Sequence, residues 1–77
     1  MSLSDTVASN IKLLREQRNL SQQALARKAR ISVSYVSMLE RGARTPPLDT
    51  VEVLAKALGV APLDLCQEAK ASRRAKK

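Results

Sequence analysis

The side chains in this sequence that are best equipped for chemistry are its cations. Fourteen Lys and Arg residues stand against seven Asp and Glu residues, so the chain carries a formal net charge of +7 at neutral pH. Five cations surround one segment in the middle of the chain: Arg27, Lys28, Arg30, Arg41 and Arg44. Clustered guanidinium and ammonium groups bind anions, phosphates above all. The pattern favours a polyanionic partner, and nucleic acid is the first to consider.

The missing residue types exclude most other chemistry. The 77 residues contain no His, Trp or Phe, one Tyr and one Cys. This composition excludes histidine-based acid–base catalysis, the usual zinc sites, a disulfide framework and aromatic base-stacking surfaces. We expect a protein that is not an enzyme and that binds no metal, cofactor or small-molecule ligand.

The charge divides the chain into two parts. Residues 70–77 hold five of the fourteen basic residues and no acidic one, so residues 1–69 keep nine basic residues against seven acidic ones. We expect one folded domain over residues 1–69 and a basic tail over residues 70–77, which either frays in solvent or contacts phosphates. No apolar run approaches the roughly 18 residues of a membrane span, and no signal peptide is apparent. We therefore expect a cytoplasmic protein with no membrane association.

Hydrophobic periodicity predicts an all-α fold of five short helices. Apolar side chains recur at helical spacing, as at Val7, Ile11 and Leu14, and no stretch alternates with period two for long enough to form a strand. Ser, Asp, Gly and Pro residues mark the boundaries. In chain order, the helices are expected from Ser4 or Asp5 to Arg18–Asn19, from Ser21 to Ala29, from Ser32 to Gly42, from Pro47 to Gly59, and from Pro62 onward.

The second and third predicted helices form the most informative segment. Only Arg30 and Ile31 separate them, so the two helices must cross steeply, as in a helix-turn-helix unit that presents its second helix to the DNA major groove. Ala26 is the small residue that such a crossing requires. Spacing alone is also compatible with an ordinary helical hairpin.

Three stretches of this sequence carry a family resemblance: IKLLREQRNLSQQALARKA, ISVSYVSMLERG and PPLDTVEVLAKALGV. With them the chain resembles the lambda-repressor/Cro-like, or Xre-type, helix-turn-helix family from about Ile11 to Cys66. The resemblance implies a compact five-helix DNA-binding domain that acts in transcription control. It also implies a homodimer on a palindromic operator of double-stranded DNA, as in stand-alone Cro-like repressors and restriction–modification controller proteins.

The resemblance also assigns roles to residues. Gln22 falls where the family uses a Gln against a DNA phosphate, a contact that a helix N-terminus favours. Four residues fall on the outward face of the third helix, and two Arg residues follow it near the DNA backbone. These are Val33, Ser34, Ser37 and Met38, then Arg41 and Arg44. Tyr35 either packs beside the helix pair or offers its hydroxyl to a phosphate.

Other positions are expected to serve the structure of the domain or its dimer. Arg15 and Glu40 match the positions of a partly buried ion pair in related domains. The dimer surface is expected around Pro46, Pro47, Val60, Leu63 and Cys66; the alternative is that these residues complete the core.

Two positions depart from the family. Arg30 stands where the family commonly has Gly, so a positive φ is expected at a non-Gly residue. Ala61 replaces a polar cap, so the fifth helix is expected to be less firmly started.

One alternative function uses the same fold. The domain could be a protein-interaction module, such as an antitoxin or an adaptor. Such a module would need an exposed apolar patch and would not need cations around the helix pair, so the five clustered cations favour DNA.

Overall fold

A computed structural model of the protein describes residues 2–68; the expected basic tail, residues 70–77, lies outside them. Within residues 2–68 the chain forms five α-helices and no strand, which confirms the prediction of an all-α, five-helix fold. No helix in this part of the chain is long and apolar enough to cross a membrane. The helices are α1 (Leu3–Gln17), α2 (Gln22–Ala29), α3 (Val33–Glu40), α4 (Leu48–Leu58) and α5 (Pro62–Cys66).

Serine hydroxyls start the first three helices. The Oγ of Ser21 accepts a hydrogen bond from the backbone N–H of Ala24 at 2.9 Å, and that of Ser32 accepts from Tyr35 at 3.0 Å. Each bond satisfies one of the N–H groups that a helix leaves unpaired in its first turn. The predicted caps of α2 and α3 are confirmed.

The predicted start of α1 is wrong by two or three residues. Ser2, not Ser4 or Asp5, caps the helix, and its Oγ accepts from the backbone N–H of Asp5 at 3.1 Å. Asp5 therefore lies in the first turn, where its carboxylate favours the positive end of the helix dipole. The hydroxyl of Ser4 instead lies 2.9 Å from that of Thr45, in the loop before α4.

The last two helices start without a side-chain cap on their first turn. Pro47 precedes α4, and Gly59 ends it with a φ of +76°. Ala61 precedes α5, as expected, but its backbone N–H donates to the Asp64 carboxylate at 3.0 Å. The Asp64 carboxylate, three residues into the helix, thus fixes the start of α5. The expectation of a less firm start considered only the missing polar side chain at Ala61, not this bond.

The core lies where α1, α4 and α5 meet the α2–α3 pair. The larger side chains in it are at most 1% exposed: Ile11, Leu25, Val36, Leu39, Leu54, Leu58 and Leu65. Ala26 is 4% exposed at the crossing of α2 and α3. These apolar contacts hold α2 and α3 against each other and against the rest of the domain, because helices this short depend on packing for their stability.

The turn between α2 and α3 contains the expected left-handed residue. Arg30 has φ 62° and ψ 42°, so the prediction of a positive φ at this non-Gly position is confirmed. The conformation reverses the chain, and the backbone N–H of Ile31 donates to the carbonyl of Ala26 at 3.0 Å. This bond satisfies a carbonyl at the end of α2 and sets the entry into α3.

Candidate nucleic-acid interface

The α2–α3 pair presents one side of α3 to solvent. Val36 and Leu39 are at most 1% exposed and anchor the inner side of that helix. Ser34 is exposed on the opposite side, and Val33, beside it in the first turn of α3, is 40% exposed. Met38 stands one turn after Ser34 on this outer side and is half-buried. The outer side therefore offers a short hydroxyl, a branched methyl group and a thioether, side chains suited to contacts in a groove.

Ser37 and Tyr35 lie at the margins of this surface. Both are half-buried, and the Tyr35 side chain packs against the hydrophobic core. The ring of Tyr35 thus serves the packing of α3. Ser37 keeps a partly accessible hydroxyl beside the exposed side chains.

Cations without a carboxylate partner flank the helix pair. Within residues 2–68, both ion pairs involve Arg15. The five clustered cations identified from the sequence are all exposed: Arg27, Lys28, Arg30, Arg41 and Arg44. An exposed, unpaired Arg can bind phosphate without first breaking a protein contact. Exposed positive charge thus lies on α2, in the turn before α3 and in the loop after α3.

Arg15 and Glu40 join α1 to the end of α3. The guanidinium of Arg15 meets the Glu40 carboxylate with two nitrogens, Nε against Oε2 and Nη2 against Oε1. The third nitrogen, Nη1, donates to the carbonyl of Leu20 at 2.8 Å. The hydrogen bond to Glu40 raises the pKa of Arg15 above its ordinary value, because it stabilises the charged guanidinium more than burial destabilises it.

The Glu40 carboxylate also holds Gln22. The Nε2 of Gln22, in the first turn of α2, donates to Oε1 of Glu40 at 3.0 Å. The Glu40 side chain is only 3% exposed, so three N–H donors surround a nearly dehydrated carboxylate. This bond was not predicted, because Gln22 and Glu40 are 18 residues apart and no local sequence pattern links them.

The residues expected at a dimer surface differ in exposure. Pro46 is buried, and Val60 and Cys66 are half-buried and pack against the core. Leu63, on α5, is 63% exposed. Pro47 is exposed as well, so Leu63 and Pro47 are the two expected contact residues that are open to a partner.

No group of three or more His, Cys, Asp or Glu side chains in residues 2–68 is arranged to hold a metal ion. The geometry instead consists of two packed helices joined by a short left-handed turn, a second helix with one exposed side, and unpaired cations beside them. These features define a helix-turn-helix DNA-binding protein.

Comparison with known proteins agrees with this class. The profile of the family described as Helix-turn-helix matches residues 11–65. The immunity repressor protein of Bacillus phage phi105 is 46% identical over 55 residues, which are 71% of this chain and 38% of that protein. The control protein C.BamHI of Bacillus amyloliquefaciens is 40% identical over 68 residues, with 77% of this chain and 84% of that protein covered.

Solved structures give the same result. A hypothetical transcription factor, NHTF, from Neisseria superposes with a TM-score of 0.86 at 34% identity, over 91% of this chain and 80% of that one. The restriction–modification controller protein C.AhdI from Aeromonas hydrophila gives a TM-score of 0.78 at 34% identity, over 80% of this chain and 94% of that one. The chain belongs to the helix-turn-helix family of DNA-binding transcription regulators, and the resemblance drawn from its sequence is confirmed.

Proposed function

We propose that this regulator binds a palindromic operator as a homodimer in the cytoplasm, with α3 of each subunit in the major groove. The observation that carries the proposal is the exposed side of α3, with unpaired, exposed cations in the turn before it and in the loop after it. A two-fold dimer of such units reads two half-sites roughly 34 Å apart, one helical turn of DNA. The similarity to a phage repressor and to controller proteins supports this function.

The exposed residues of α3 contact base edges in this proposal. Val33 meets a thymine methyl, and Ser34, Ser37 and Met38 complete the surface against the groove. None of these four side chains makes the paired hydrogen bonds by which Arg, Gln or Asn reads a base. Much of the selectivity therefore comes from DNA shape and backbone contacts.

Contacts with the DNA backbone come from the ends of the helices. Gln22 at the start of α2 donates to a phosphate, where the helix dipole also favours an anion. Arg41 and Arg44 donate to phosphates from the loop after α3. The hydroxyl of Tyr35 is a further phosphate donor, because its ring packs on the core and its position is thereby fixed.

The dimer forms around α5 in this proposal. Leu63 supplies the exposed apolar contact, with Val60 and Cys66 beside it. Pro46 is buried and contributes by fixing the loop before α4 rather than by direct contact. The regulator then senses its own concentration, because dimerisation and operator occupancy are coupled.

The test is selection of tight binders from a pool of random duplexes, followed by sequencing and by titration at two salt concentrations. We expect enrichment of one palindromic site and a steep loss of affinity as salt rises. A Ser34→Asp variant, with a new negative charge on the exposed face of α3, should lose the enrichment. Ser9→Asp makes the same change in net charge at an exposed position of α1, and this variant should keep the enrichment.

Two outcomes would contradict the proposal. Strong binding with no enriched sequence would indicate a nonspecific binder held by phosphate contacts. No binding at low salt would exclude DNA as the partner and favour a protein-interaction module such as an antitoxin or an adaptor.

A further inference from the structure

The Glu40 carboxylate links the ion pair of α1 to the first turn of α2. Oε1 of Glu40 accepts from Nη2 of Arg15 and from Nε2 of Gln22, both at 3.0 Å. Oε2 accepts from Nε of Arg15. Arg15 is itself fixed on its far side by the carbonyl of Leu20, at the entry to α2. The position of the Gln22 amide is therefore determined by α1 and α3 as well as by its own helix.

The chemistry of this contact orients the Gln22 amide. A carboxylate has only acceptors, so the NH₂ end of the Gln22 side chain must face Glu40, not its carbonyl oxygen. The NH₂ group has two protons, and the bond to Glu40 uses one of them. The second proton has no acceptor among residues 2–68, and Gln22 is only partly buried at the start of α2. One N–H donor thus stays available at a helix end that favours anions.

We infer that Glu40 is a positioning residue that holds the amide of Gln22 so that its second N–H donates to a DNA phosphate. This inference rests on the proposed function, because the phosphate belongs to the operator. Without the bond to Glu40 the amide can rotate, and its carbonyl oxygen would then repel the phosphate. An amide that is already fixed also loses less side-chain freedom on binding.

The inference predicts that Gln22 and Glu40 are coupled in DNA binding. Gln22→Ala removes the phosphate donor from a protein with the intact ion pair, and affinity for the selected duplex should fall at least about tenfold. The same change in an Arg15→Met, Glu40→Met background should lower affinity by no more than about twofold, because the amide there is already unanchored. Replacing both partners together leaves no unpaired buried charge.

Gln23→Ala is the matched control. Gln23 is an exposed Gln in the same turn of α2, and no bond to Glu40 holds it. Whatever its own effect on affinity, that effect should be equal in the two backgrounds. Thermal unfolding of every variant, followed by circular dichroism, ensures that only folded protein is titrated.

A second measurement uses the unmodified protein. It tests the positioning role of Glu40 even if the Arg15→Met, Glu40→Met variant does not fold. In the NMR spectrum of the free protein, one side-chain amide proton of Gln22 should resonate downfield, as a proton bonded to a carboxylate does. Addition of the selected duplex should shift the other proton and leave the first one in place.

The outcomes separate this inference from the proposed function. If the protein binds no duplex at low salt, the proposed function fails and the positioning role fails with it. If the protein binds duplex but Gln22→Ala has the same effect in both backgrounds, DNA binding stands and the role of Glu40 is overturned. Loss of the downfield amide proton on binding would also overturn it.

Discussion

Asn10 and Leu65 are joined by a hydrogen bond between residues 55 positions apart: Nδ2 of Asn10 donates to the carbonyl of Leu65 at 2.9 Å. The same nitrogen lies 2.6 Å from the carbonyl of Gln67. Asn10 is 3% exposed, so one buried amide satisfies carbonyls at the end of α5 that have no partner within that short helix. This contact attaches α5, and with it the proposed dimer surface, to α1.

Replacing Asn10 should therefore loosen α5. Asn10→Ala leaves the buried carbonyl of Leu65 and the partly buried carbonyl of Gln67 without this donor, and we expect it to lower the free energy of unfolding by about 1–3 kcal/mol. Ser9→Ala, at the exposed neighbouring position of α1, should change it by less than about 0.5 kcal/mol. Urea denaturation compares the two variants; equal stability would mean that α5 is held by Leu65 and its apolar contacts alone.

The two carboxylates near Arg15 should differ sharply in importance. Glu40→Ala leaves the mostly buried guanidinium of Arg15 without its carboxylate partner, and we expect a loss of about 3–5 kcal/mol in the free energy of unfolding. Glu16→Ala removes a carboxylate that lies 3.9 Å away and is 56% exposed, and its effect should stay below about 1 kcal/mol.

The pH dependence of this contribution follows from the raised pKa of Arg15. A raised folded pKa means that the stabilisation is complete below the ordinary pKa of an Arg side chain and is lost only as the pH rises through the higher pKa of the folded protein. Titration of Arg15 should therefore cause no change in stability between neutral pH and that value. A loss of stability in this range that disappears in an Arg15→Met, Glu40→Met variant would contradict this interpretation.

The left-handed turn at Arg30 should store strain that Gly relieves. Arg30 has φ 62° and ψ 42°, a conformation that Gly adopts at no steric cost. Arg30→Gly is therefore expected to raise the free energy of unfolding by up to about 1 kcal/mol. Arg27→Gly places the same residue inside α2 and should lower it by about 1 kcal/mol. Thermal unfolding of the two variants at one pH tests the sign; destabilisation by both would show that Arg30 makes contacts that outweigh its strain.

Leu63 should control assembly. In the proposed dimer, Leu63→Glu puts a charge into an apolar contact, so the variant is expected to sediment as a monomer at concentrations where the unmodified protein is a dimer. Val53→Glu is the control: Val53 is 42% exposed on α4 and lies beside the α2–α3 turn. Sedimentation velocity measures both, and an unchanged dimer in Leu63→Glu would exclude α5 as the interface.

Arg41 and Arg44 should account for part of the salt dependence of DNA binding. Each lost phosphate contact reduces the slope of log affinity against log salt by about one. We therefore expect a shallower slope for Arg41→Ala and for Arg44→Ala, with similar losses on all duplex sequences. Lys56→Ala, an exposed cation in the last turn of α4, should leave the slope unchanged. A slope that changes with Lys56 and not with the two Arg residues would indicate that the protein binds DNA through another face.

The sequence predicted those features that depend on neighbouring residues. Ser21 and Ser32 cap helices because each stands three residues before the N–H it bonds, and Arg30 is left-handed because so short a turn must reverse the chain. The predicted start of α1 is wrong because Ser2, Ser4 and Asp5 are all good capping residues, and local preference does not choose among them.

Contacts between distant residues could not be predicted in the same way. The bond of Gln22 to Glu40 depends on the crossing angle of α2 and α3, and that of Asn10 to Leu65 depends on how α5 returns to α1. The relative position of α2 and α3, and that of α5 and α1, both result from the packing of the whole core. The burial of Pro46 has the same origin, and a sequence pattern does not distinguish a buried loop proline from an exposed one.

The most direct test of the central claim is NMR mapping of the isotope-labelled protein with its selected duplex. We predict that the largest changes in backbone amide chemical shift on addition of the duplex occur in three segments: residues 22–23, residues 33–38 and residues 41–44. Changes confined to α1, α4 and α5, with α3 unaffected, would contradict it and show that the helix pair is not the surface that meets DNA.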